Sequence, residues 1–118
     1  MSETPRQRFL RASRLLRGSD FRKVLKGGRR IDTPLFTLWA APQGRDRARL
    51  GLAASRRIGG AVSRNRAKRL LRESFRRGGQ VLGFDLVLVP KAAILERRQS
   101  EVDDEWRRSL RRLTSGPS

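Results

Sequence analysis

Read at about 100° per residue, residues 61–77 divide into an apolar face and a cationic one. Ala67, Leu70, Leu71, Ser74 and Phe75 follow the i, i+3, i+4, i+7, i+8 spacing of a helix packed on a core, and Asn65, Arg69, Arg72 and Arg76 form a row on the opposite side, flanked by Arg66 and Lys68. A shorter helix is predicted from Ser19, as its cap, to Lys26, with Phe21, Val24 and Leu25 on one side and Gly27-Gly28 ending it. A third opens at Ser100, with Asp103 three residues on as its capping partner. It carries Glu101, Asp104 and Glu105 early and Arg107, Arg108, Arg111 and Arg112 late, which suits the helix dipole. Its apolar stripe, Val102, Trp106, Leu110 and Leu113, reads as core packing.

Between these helices the period falls to two. Arg29-Arg30-Ile31 admits a short strand, and Leu35 to Ala41 splits into Leu35, Thr37, Trp39 and Phe36, Leu38, Ala40, both sets at least partly covered. The turn residues Pro42 to Asp46 lead to a strand over Ala48 to Ala54, so an antiparallel hairpin is expected there. Phe84 to Val89 is almost continuously apolar, as in a strand buried on both faces, and Pro90 ends it. The helix between the last two strands makes a crossover, so these two should pair in parallel. The sum is an α/β (α+β) two-layer sandwich, one layer of sheet and one of helix, with a four-stranded mixed sheet in the order α-β-β-β-α-β-α. One domain accounts for residues 1–118, with 1–16 a basic N-terminal arm and 114–118 a frayed tail.

Composition changes the picture mainly through charge. Lys and Arg number 29 against 11 Asp and Glu, a net charge of +18 that repels itself in the free protein and is relieved by a polyanion. Nucleic acid is therefore favoured over a small acidic substrate. With hydrophobic residues at 36% and charged residues at 34%, the core must be thin. Cysteine is absent, which removes disulfides and thiolate chemistry and agrees with a reducing compartment. No apolar run approaches the ~20 residues of a membrane span, and the N-terminus lacks the apolar run of a signal peptide, so a cytoplasmic location with no membrane partner is expected.

The charge is concentrated where phosphate chemistry would use it. Glu73 is the one acid between Arg56 and Arg77, so most cations on the long helix face like charges at i, i+4, a cost that an outside anion would remove. Gly59 and Gly60 before the helix permit backbone conformations barred to other residues, and the N-terminus that follows presents unpaired N–H groups. Catalytic residues are scarce. There is no His, Cys or Tyr, and the single acidic cluster, Glu101, Asp103, Asp104 and Glu105, is explained by the dipole. No phosphate-loop lysine motif or dinucleotide glycine pattern is present. No catalytic residue is therefore assigned, and neither a tightly held metal nor a small-molecule substrate is expected of this chain.

The run Gly59-Gly60-Ala61-Val62-Ser63-Arg64-Asn65-Arg66-Ala67-Lys68-Arg69-Leu70-Leu71-Arg72-Glu73 closely resembles the signature of the protein subunit of bacterial ribonuclease P. The resemblance extends through Ser19-Asp20-Phe21, Leu50-Gly51-Leu52, Ser55-Arg56-Arg57 and Asp85 to Val89 into the last helix. It implies a small α/β sandwich with an unusual left-handed crossover around the signature helix. It also implies a cofactor role: a catalytic RNA, using Mg2+ that the RNA mainly holds, removes the 5′ leader from precursor tRNA. On this resemblance Arg64, Asn65, Arg66, Lys68, Arg69 and Arg72 contact the catalytic RNA, and the stripe adds Arg76. A second surface, a cleft for the single-stranded leader, is implied at Phe21, Phe36 and Trp39 with Arg56 and Arg57 nearby, although Phe21 and Phe36 suit a core equally well. Leu25 departs from the family pattern, where an aromatic is common. The competing readings are a ribosomal or nucleoid-type nucleic-acid-binding protein with no enzymatic partner, and an independent metal-dependent nuclease.

Overall fold

The computed structural model describes residues 18–42, 48–77 and 83–114, and of residues 18–20 the backbone only. The basic arm, the residues 43–46 of the expected turn, the Ser19 side-chain cap and residues 115–118 of the tail lie outside the described residues or atoms. The elements run α1 (Gly18–Gly27), β1 (Arg29–Asp32), β2 (Phe36–Pro42), β3 (Arg49–Leu52), a 3-10 turn (Arg56–Ile58), α2 (Ala61–Arg77), β4 (Phe84–Pro90), a second 3-10 turn (Ala92–Glu96) and α3 (Gln99–Thr114). Among the described residues no helix is long and apolar enough to cross a membrane.

The strands form one mixed sheet in the order β1-β2-β4-β3. β3 and β4 pair in parallel, as the crossover requires, with Leu50 opposite Leu86 and Leu52 opposite Leu88. The expected hairpin between β2 and β3 does not form, because β4 lies between them and pairs antiparallel with β2. The physical reason lies in the side chains. β4 buries Leu86 and Leu88 on one face and Val87 on the other, so it belongs where both faces are covered, while β3, with Arg49 and Gly51 on one face, tolerates an edge.

Alternation along β2 divides the interior. Phe36, Leu38 and Ala40 meet α2 and α3, where Phe36 and Phe75 stand 6.4 and 5.9 Å from the fully buried ring of Trp106. Trp39 and Ala41 face the other way and pack with Val24 and Phe21 of α1 over Val87 and Val89. The helices thus divide between the faces, two against one, and α1 adds a partial third layer to the expected two. The inward arc of α2 is as the periodicity implies, with Ala67, Leu70, Leu71, Ser74 and Phe75 all buried.

α3 starts one residue before its expected cap. Arg98 occupies the cap position: its carbonyl accepts from the Val102 amide at 3.2 Å, and its own N–H donates to Glu101 Oε1 at 2.9 Å. Asp103 is not the capping acid, because it turns inward. It accepts from Ser74 Oγ at 2.6 Å, Gln99 Nε2 at 2.9 Å and Arg77 at 3.2 Å, clamping α3 to α2. The other buried acid, Asp85, takes a two-pronged bond from Arg49, its register partner on β3, at 2.8 and 2.6 Å. That geometry satisfies a carboxylate that is only 1% exposed.

Candidate RNA interface

The long cationic helix is launched by a tight turn. Ser55 Oγ accepts the Arg57 amide at 3.2 Å, and Gly59 adopts φ +141°, a conformation that side chains rarely take. A Cβ there would also come within 3.1 Å of Ser63 Cβ. Gly60, in contrast, has no positive φ and open space around it, so only the first glycine of the pair is required by the backbone. The Gly60 carbonyl accepts the Arg64 amide at 3.0 Å, and Val62 is 84% exposed, so the first turn of α2 stands clear of the body.

From that turn the predicted row separates into two parts. Asn65, Arg66 and Arg69 are exposed and Arg64 and Lys68 half-exposed, and none of them has an acidic partner among the described residues. The C-terminal part differs. Arg76 binds Glu73, which raises the pKa of its guanidinium, while Arg77 bridges Glu73 at 3.1 Å and Asp103 at 3.2 Å. Arg72 is half-buried and is engaged within the chain. Arg76 is therefore not the unpaired cation that the stripe implied. Glu73, three residues before Arg76 and four before Arg77, is placed by its spacing to pair with both and offsets part of the charge at the end of the helix. Asp103 behind it is held ionised: burial works to raise its pKa, but the bonds from Ser74, Gln99 and Arg77 outweigh this and leave it below the usual aspartate range.

The five residues grouped as a cleft do not share one surface. Phe36 has no exposed area and lies on the sheet face that α2 and α3 cover, so it is a core residue and not part of any cleft on the α1 side. Its neighbour three positions on, Trp39, is half-buried on the α1 face beside the half-buried Phe21. Arg56 and Arg57 are exposed on the 3-10 turn after β3. Register gives the α1 face its floor: Trp39 is opposite Val87, which is opposite Gly51, so the indole and the side-chain-free Gly51 stand two strands, about 10 Å, apart. The Arg49–Asp85 pair on this face is not among the contacts that the sequence pattern predicts. An acid inside an apolar strand was the available signal for a buried basic partner.

The acidic cluster of α3 offers no excess of charge. In a groove of about 340 Å³ lined by Pro34, Leu35, Arg97, Glu101, Asp104, Glu105 and Arg108, Glu101 pairs with Arg97 and Glu105 with Arg108. No grouping of three or more His, Cys, Asp or Glu that could hold a metal ion exists among the described residues.

Comparison with known proteins follows the same lines. The family model described as Ribonuclease P matches residues 9–114. Among curated relatives, the ribonuclease P protein component of Pseudoalteromonas translucida is 38% identical over 114 residues, covering 92% of this chain and 81% of that protein. The corresponding protein of Thermotoga maritima is 36% identical over 100 residues, covering 83% and 84%. The solved T. maritima RNase P protein superposes with a TM-score of 0.72 at 32% identity, covering 79% of this chain and 90% of that one. A Staphylococcus aureus RNase P protein, at 23% identity, shares the fold with a TM-score of 0.73 over 83% of this chain and 92% of its own.

Proposed function

The chain belongs to the ribonuclease P protein family, and from that premise we propose that it works beside a catalytic RNA, in the cytoplasm, to remove the 5′ leader from precursor tRNA. The observation that carries this reading is the free N-terminal half of α2. Arg64, Asn65, Arg66, Lys68 and Arg69 project from a helix whose opposite side is sealed in the core, and nothing described in the chain neutralises the four cations among them. Guanidinium and ammonium groups held at helical spacing match a phosphate backbone, and each contact releases a counterion. Their role is to hold the catalytic RNA and to reduce phosphate repulsion between it and its substrate. Family membership leaves the ribosomal or nucleoid reading without a supporting observation.

Trp39 and Phe21, with Arg56 and Arg57 across the sheet, are the groups that would meet the leader. Aromatic stacking contributes about 1–3 kcal/mol per base whatever the base, which suits a substrate set with many leader sequences. Magnesium enters this reading as an ion of the RNA. Among the described residues the acids form no donor set for it.

The test is reconstitution with a bacterial ribonuclease P RNA and measurement of precursor-tRNA cleavage at low Mg2+. Stimulation by the protein is expected. An RNA whose activity is the same with and without the protein would refute the reading.

A further inference from the structure

On the α1 face the rung through Trp39 continues outward to the edge of the sheet. Arg30 of β1 is the register partner of Trp39, and its guanidinium carbon lies 5.8 Å from the centre of the indole ring. The stack holds the guanidinium beside the ring at little entropic cost. Among the described residues one acid is near, Asp32, at 3.6 Å from Arg30. Asp32 is engaged more closely, by Lys91 Nζ at 2.9 Å and Thr37 Oγ1 at 2.8 Å, and these two bonds, with a smaller contribution from the charge of Arg30, hold its pKa below the usual range. Arg30 therefore keeps its hydrogen-bond donors, and its side chain is 60% exposed.

A cation stacked on a half-buried aromatic, sharing its nearest carboxylate with two closer groups, is arranged to receive an anion beside that aromatic. We infer that Arg30 binds a backbone phosphate of the leader nucleotide that lies at Trp39, making Arg30 a substrate-positioning residue at the β1 edge. The inference rests on the proposed leader surface and extends it by one residue, on the opposite side of Trp39 from Arg56 and Arg57. It also assigns different work to the two neighbours. Trp39 supplies stacking, which salt hardly affects, and Arg30 supplies a charge contact, which salt weakens.

The experiment uses the reconstituted holoenzyme with two precursor tRNAs, one with a leader of several nucleotides and one with a single leader nucleotide, and measures Kd over a range of salt. Arg30→Ala is expected to weaken long-leader binding several-fold and to lower the slope of log K against log salt by about 0.7, the value for one single-strand phosphate contact. Binding of the short-leader substrate should not change. Arg30→Lys should restore most of the slope. If Trp39→Ala loses leader-dependent affinity but Arg30→Ala keeps the wild-type slope, the assignment of Arg30 is wrong. Equal losses on both substrates would mean that Arg30 acts on folding or on the RNA subunit, which also overturns it. If neither variant alters leader dependence, the leader surface itself fails.

Discussion

The hydroxyl of Ser74 on α2 donates to Asp103 of α3 at 2.6 Å, inside the seam between the two helices. A hydrogen bond to a charged group in such a place is worth about 1.5–3 kcal/mol, and Ser74→Ala should cost that much in urea denaturation at neutral pH. Because the folded pKa of Asp103 lies below the unfolded value of about 3.9, its contribution is complete above that value and is lost as pH falls through the folded pKa. The gap between wild type and Ser74→Ala should therefore shrink in denaturation repeated near pH 3. A gap of constant size would show that the bond does not stabilise the ionised carboxylate.

Phe36 and Trp39 differ by three positions and should differ in kind. Phe36→Ala opens a cavity against Trp106 and is expected to destabilise the fold by about 3–5 kcal/mol. Trp39→Ala removes a half-exposed ring; it should cost less stability and weaken binding in proportion to leader length. Denaturation melts and leader-length binding series on both variants would separate the roles, and leader-selective loss in a well-folded Phe36→Ala protein would contradict the placement of Phe36.

Arg69 and Arg76 lie on the same side of α2, yet only Arg69 is free of an internal acid. Arg69→Ala should lower the salt slope for catalytic-RNA binding by about 0.7–0.9, one phosphate contact, whereas Arg76→Ala should leave it nearly unchanged. Equal slopes for the two variants would remove the distinction drawn between the two ends of the helix.

At the turn into α2, Gly59→Ala forces a side chain into a conformation costing about 1–3 kcal/mol and presses it against Ser63. Gly60→Ala meets open space and should cost at most about 1 kcal/mol, as a cap substitution. Thermal melts of the two single variants decide the matter, and the order Gly59 worse than Gly60 is the expected result.

How far the sequence could be read depended on how much each pattern constrained. The inward side of α2 was legible because five residues at helical spacing admit one buried arc. The parallel partnership of β3 with β4 was legible from the crossover, but the second neighbour of β2 was not, since periodicity gives the faces of a strand and says nothing of which strand pairs with its edge. Phe36 and Trp39 could not be sorted for a related reason: β2 is apolar in both alternating sets, so nothing local marks which set faces α1. The Glu73 partnership with Arg76 was readable from spacing, and the count of cations obscured it. Asp103 and Arg30 needed three dimensions, because their significance lies in partners 29 residues away in Ser74 and across a strand pair in Trp39.

The two tryptophans stand in opposite surroundings, Trp106 sealed between Phe36 and Phe75 and Trp39 half open to solvent beneath a guanidinium. Their fluorescence therefore divides into two channels in the unlabelled protein. Emission from Trp106 follows the integrity of the interior, and collisional quenchers such as iodide should reach Trp39 alone until a bound strand shields it. Substituting either indole by phenylalanine would give a single-channel reporter, one for unfolding and one for occupancy of the α1 face.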